Sequence, residues 1–186
     1  MDLGKAVGEY DELDYPDSLS ALFVVYAGTT IESSDYYQNV FIVNGLTSFL
    51  AHSPLLKDYP ELRRHIGDVD GLTIWYPLLF HYFKKKYDLS DKVSIDLLYL
   101  VILVNYLVHN KIGELTNKMF PLSVLLLIYQ IRDKLTLKII LLDVLPALLA
   151  KKFERTRIFQ RQPVNVHSVW HVLGALMFKK LVVDLD

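Results

Sequence analysis

Apolar residues along this chain fall into seven runs separated by short charged connectors. The runs are Ser18–Ile31, Tyr37–Leu56, Gly71–Phe83, Ile95–His109, Phe120–Ile131, Leu137–Ala150 and His167–Val183. Most are apolar all round, without the polar stripe of a surface helix. Tyrosine and tryptophan recur near their ends, as they do at a membrane interface. The pattern predicts an all-α chain, a compact seven-helix transmembrane bundle. It forms one membrane domain over residues 1–186, opened by an acidic segment over 1–17. Val101–Val104 and Ile139–Leu142, taken singly, also pass for strands, but a sheet does not suit the whole pattern.

Length supplies the competing architecture. A spanning helix wants about 20 residues, and shorter apolar runs more often mark buried core helices. Snorkelling Lys and Arg, or Tyr, can extend each end by a turn. A soluble helical bundle is therefore the alternative. Asp143 lies inside the sixth run, and an intramembrane carboxylate is a functional candidate by default.

Composition sharpens this. The chain is 52% hydrophobic with a mean hydropathy of +0.26, high for a soluble domain. The net charge of −1 argues against nucleic acid as a partner. There is no cysteine, so any metal must rest on His, Asp or Glu. The acidic N-terminus lacks the basic-then-apolar pattern of a cleaved signal. If every run spans, the Lys and Arg residues divide almost evenly between the two sides, and no orientation follows.

Several polar residues interrupt the apolar runs. His167 and His171 are four apart, one above the other on a helix face, the spacing for gripping one metal ion. Ser48 and His52 are also four apart, toward the end of the second run. Asp68 and Asp70 stand at the start of the third. Counting crossings, the end of the second run, the start of the third and the start of the seventh emerge on one side. Ser48, His52, Asp70, His167 and His171 are thus expected to converge at one depth. Three imidazoles with an open position match a catalytic zinc site. Each residue also has a plainer role: Ser48 bonding its own helix carbonyl, His52 capping a helix end, Asp70 serving as an N-cap. Asp68 reads as a solvated loop acid, His65 as part of a charged loop, and His81 and His109 as interfacial residues on the opposite side.

Ser-x-x-x-His late in a second helix, Asp opening a third and His-x-x-x-His opening a seventh resembles the CREST superfamily of seven-span membrane proteins. That group includes alkaline ceramidases, progestin and adipoQ receptors, Per1-type GPI-lipid remodelling proteins and myomaker-like proteins. The likeness is closest over Ser48-Phe49-Leu50-Ala51-His52 and over His167-Ser168-Val169-Trp170-His171-Val172-Leu173-Gly174-Ala175. It implies that His52, His167 and His171 bind zinc (Zn2+) and that Ser48 and Asp70 complete a catalytic site. It also implies an endomembrane protein, of ER or Golgi type, acting on a membrane lipid with a long acyl chain. The expected chemistry is hydrolysis of a lipid amide or ester, ceramidase-like. Zinc would activate water near neutral pH, Asp70 would move its proton, and Ser48 would hydrogen-bond the oxyanion or the water. Several features depart from the ceramidases, among them short spans and no clear N-terminal calcium-binding signature, although Glu9–Asp17 is acidic. The gap from His52 to Asp70 is longer, and the Leu-Leu-Asp-Val-Leu-Pro string lies at Asp143 instead. The alternatives are a receptor or fusion-type protein with a structural metal on the same scaffold, and a soluble helical interaction protein.

Overall fold

Seven helices follow one another with no strand among the described residues of the computed structural model, which are 15–108, 112–153 and 166–185. The N-terminal acidic stretch before Tyr15, His109 and the arginines at 155, 157 and 161 lie outside them. We label the helices α1 (Tyr15–Thr29), α2 (Asp35–His52), α3 (Pro60–Lys86), α4 (Asp91–Val108) and α5 (Ile112–Gln130). Helix α6 runs through Leu137–Ile139, a wider π-type turn at Ile140–Val144, and Leu145–Phe153. Helix α7 (Val166–Lys179) ends in a second π-type turn, Lys180–Asp184. Each apolar run falls on one of these helices, although the second extends past α2 to Leu56 and the third covers only part of α3.

Local chemistry explains the ends. Ser34 caps α2 by accepting from the Tyr37 amide, and Ser53 and Pro54 stop it just after His52. Helix α3 differs from expectation. The charged stretch 60–70 is helix, not loop, because Pro60 sets its first turn and the residues after it, Glu61, Leu62, Arg63 and Arg64, are good helix formers. Arg63 Nε ties this turn to α2 by donating to the Ala51 carbonyl at 2.7 Å. In α6, Pro146 lacks an amide and crowds the carbonyl four residues back. The π-type turn at Ile140–Val144, which carries Asp143, opens the helix just before it.

Helix α2 runs antiparallel to α1 in the most extensive contact of the bundle. Two glycines permit it: a Cβ on Gly45 would lie 2.7 Å from the Val25 amide nitrogen, and one on Gly28 would lie 2.7 Å from the Phe41 Cβ. Helix α3 packs on α2 and α5, and α7 packs on α1 and α6. Phe120 of α5 meets Trp170 of α7 edge to face, 5.6 Å between centroids. Helices α1, α2, α3, α5 and α7 thus surround a common interior, with α4 and α6 outside.

The two ends of the bundle differ. At one end the Asp91 carboxylate accepts from Ser34 Oγ (2.8 Å) and the Tyr36 amide (3.1 Å) and pairs with Lys84 Nζ (3.0 Å). It thereby joins the start of α2, the end of α3 and the start of α4. Burial raises the pKa of Asp91, but these donors and the Lys84 charge outweigh it and hold the carboxyl below its ordinary value. Lys179 Nζ reaches Thr30 Oγ1 at 2.6 Å at the same end. Just inside it, His81 is fully buried against the Tyr37 hydroxyl, not interfacial as its position in the chain suggested. The opposite end carries the termini of α2 and α7 that hold the histidines.

Among the described residues, one helix, Val166–Asp184, is long and apolar enough to cross a membrane by length and composition. Charges interrupt other candidates, such as Asp91, Lys92 and Asp96 at the start of α4. The outer faces are nonetheless strongly apolar: Leu100, Leu103 and Leu107 of α4, Leu122 and Leu125 of α5, and Leu141, Leu142 and Leu145 of α6 are all exposed.

Candidate metal centre

Helix α2 ends on His52 and α7 begins one residue before His167, so these two helix ends meet at one level. His52 Nε2 and His167 Nε2 lie 3.1 Å apart. His171, one turn further along α7, brings its ring centroid to 4.6 Å from that of His167 and 5.6 Å from that of His52. One nitrogen from each ring falls within 4.8 Å of the others. His171 is buried, and His52 and His167 are half-buried above it.

This group can bind a metal ion. Tetrahedral bonds of about 2.0–2.1 Å separate ligand nitrogens by about 3.3 Å. The His52–His167 separation is already near that, and the third ring needs only a small inward movement. The donor set is all nitrogen, without thiolate.

Hydroxyls bracket the buried ring. Ser48, one turn before His52 on the same face of α2, places Oγ 3.1 Å from His171 Nε2. Ser20 of α1 places Oγ 2.8 Å from His171 Nδ1. Asp70 stands deeper, on α3. It is not at a helix start, as the hydropathy pattern suggested, but ten residues past Pro60. No N-cap role is therefore open to it. Asn44 Nδ2 donates to Asp70 Oδ1 (3.0 Å) and lies close to the Asp70 carbonyl (3.2 Å) and Thr73 Oγ1 (3.0 Å). Asp68 and His65 are likewise helical, and the His65 ring stacks obliquely on Tyr106 at 5.3 Å.

Asp70 and His171 line one partly open pocket with a volume of 40 Å³. Its other walls are largely apolar, from Val24, Val40, Phe41, Phe120, Trp170, Ala175 and Phe178, with Asn44 and Thr73 beside Asp70. Space of this size holds a few waters.

The five expected residues are thus divided between two adjoining groups. Ser48, His52, His167 and His171 form the histidine cluster, and Asp70 adjoins it through the cavity. Sequence reasoning missed Ser20, Asn44 and Thr73. Asn44 was within reach, since Asn44, Ser48 and His52 repeat every four residues along one face of α2. Ser20 had no such signal. Asp143 sits on the outer helix α6, apart from this interior.

No protein-family model, curated protein or solved structure matches this chain.

Proposed function

We propose that this protein is a multi-span membrane hydrolase that cleaves an amide or ester bond of a lipid at a zinc ion held by His52, His167 and His171. The observation that carries the reading is the meeting of three imidazoles from two distant helices beside a cavity that also holds a carboxylate. The apolar outer faces of α4, α5 and α6 support a lipid surround, since exposed apolar surface of this extent is unfavourable in water. Helix α2 adds a dimension. Its 18 residues separate the Asp91 clamp from the histidines by about 27 Å, close to the hydrocarbon thickness of a bilayer, about 30 Å.

Zinc bound here would supply a Lewis acid and water activated near neutral pH. The chain's own residues do the rest. Asp70, held by Asn44, takes the proton of the attacking water. It returns that proton to the departing amine or alcohol as the carbonyl C–N or C–O bond breaks. Ser48 donates a hydrogen bond to the oxyanion of the tetrahedral intermediate. The apolar walls receive the start of an acyl chain.

The small pocket favours one second reading, a receptor-like membrane protein in which the metal is structural. The test is elemental analysis of detergent-purified protein followed by a screen of ceramides and lysolipids. Stoichiometric zinc, lost in His171→Ala, with hydrolysis abolished in Asp70→Asn, is the expected result. Full zinc retention in His171→Ala refutes the site. Zinc without turnover leaves the structural reading.

A further inference from the structure

Ser20 lies on α1, outside every motif that marked the histidines, yet it touches the most buried of them. Its Oγ stands 2.8 Å from His171 Nδ1 and 2.9 Å from the backbone carbonyl of Asp17. A serine hydroxyl carries one proton. The Asp17 carbonyl can only accept, and the geometry assigns the Ser20 proton to it. With its own proton directed to the Asp17 carbonyl, the Ser20 oxygen acts as acceptor toward the ring, and Nδ1 carries the hydrogen. In a neutral imidazole the lone pair then sits on Nε2, the nitrogen on the Ser48 side.

We propose that Ser20 is a positioning residue for the metal centre. By accepting a hydrogen bond from Nδ1–H it holds His171 in the tautomer whose Nε2 lone pair is free to ligate. The proposal rests on the metal reading above and extends it to a third helix. His52 and His167 belong to α2 and α7, and Ser20 makes α1 part of the site. The close α1–α2 crossing at Gly45 and Gly28 holds α1 in this register. A metal-ligating histidine ordinarily donates its other ring N–H to an oxygen acceptor that fixes tautomer and ring orientation, and loss of that acceptor costs about 10–100-fold in metal affinity.

The experiment uses the full chain in detergent. Zinc affinity is measured by competition with a chromophoric chelator for wild type, Ser20→Ala and Ser20→Thr. The ring-nitrogen NMR signals of the metal-free wild type and Ser20→Ala are recorded alongside. Expected are about 10–100-fold weaker zinc binding in Ser20→Ala, recovery in Ser20→Thr, and a wild-type His171 signal of the Nδ1–H form that becomes mixed in Ser20→Ala. The spectrum of unmutated protein needs no variant to fold. Wild-type affinity in Ser20→Ala, or a wild-type ring protonated on Nε2, overturns the proposal. Failure of the wild type to bind zinc overturns the metal reading and the ligand-positioning role together. The spectrum then still reports separately whether Ser20 sets the tautomer.

Discussion

His52 and His167, 115 residues apart in the chain, face each other with their Nε2 atoms 3.1 Å apart. Two neutral imidazoles can share one proton at that distance, or both can turn lone pairs toward a cation. If the cation is bound, its removal must cost stability. A ligand at 100 times its dissociation constant stabilises the folded state by about 2.7 kcal/mol. Stripping the metal with a chelator in detergent is therefore expected to lower the unfolding temperature, and restoring zinc to raise it again. His52→Ala should remove this response, as measured by a thermal scan with and without chelator.

Asn44 holds Asp70 without touching the histidines. Replacing it with Leu leaves the carboxylate short of a donor in a largely apolar cavity, at a cost of about 1–3 kcal/mol. Zinc content is expected to stay at the wild-type level while lipid turnover falls. Parallel metal analysis and kinetics on Asn44→Leu check this, and loss of zinc would place Asn44 in the wrong role.

The pairing of α1 with α2 depends on the missing side chain of Gly45. A Val there would drive methyl groups into the Val25 amide and the Ala21 carbonyl, which lie 2.7 and 2.9 Å from the added Cβ. Backbone cannot rotate away as a side chain can. Gly45→Val is expected to destabilise by about 1–3 kcal/mol and to shift Ser20 off His171. Thermal unfolding of the variant measures the first effect, and its zinc affinity reports the second.

Asp91 predicts a pH dependence at the other end of the bundle. Its carboxyl is held below its ordinary value, with burial opposing and Ser34, the Tyr36 amide and Lys84 prevailing. A depressed carboxylate pKa stabilises the fold above the unfolded value, about 3.9, and that contribution fades as pH falls through the folded value. Asp91→Asn should thus be less stable than wild type at neutral pH, and the gap should close below about pH 4. Unfolding curves at a series of pH values test this, and a constant gap would mean that the charge of Asp91 is irrelevant.

The outer faces give a last expectation. Nitroxide labels at Leu103, Leu125 and Leu142, all exposed, are expected to collide with oxygen more than with a polar nickel reagent in reconstituted vesicles. The reverse order would put those faces in water and end the membrane reading.

Much of this architecture is written in hydropathy. Seven apolar runs became seven helices because each helix must bury or shield a continuous apolar length, and such a signal is local. The i, i+4 spacings of Ser48 with His52 and of His167 with His171 likewise fixed which side chains share a helix face. The parity of the helix count put the end of α2 and the start of α7 at one end of the bundle. Hydropathy failed where helix continued beyond the apolar stretch. It read 60–70 as a connector, although charged residues after Pro60 form helix as readily as apolar ones, and so it misjudged the setting of Asp70. It also set His81 at an interface, whereas the ring is buried inside beside the Tyr37 hydroxyl.

What only the tertiary structure decided is which groups touch across helices. Ser20 with His171, Asn44 with Asp70, and Ser34 with Asp91 are each set by helix rotation and close approach. Those depend on packing summed over whole faces, including two glycines whose importance lies in atoms they lack. The chain alone fixes what each helix can offer, and the crossing of one helix on another selects which offers meet.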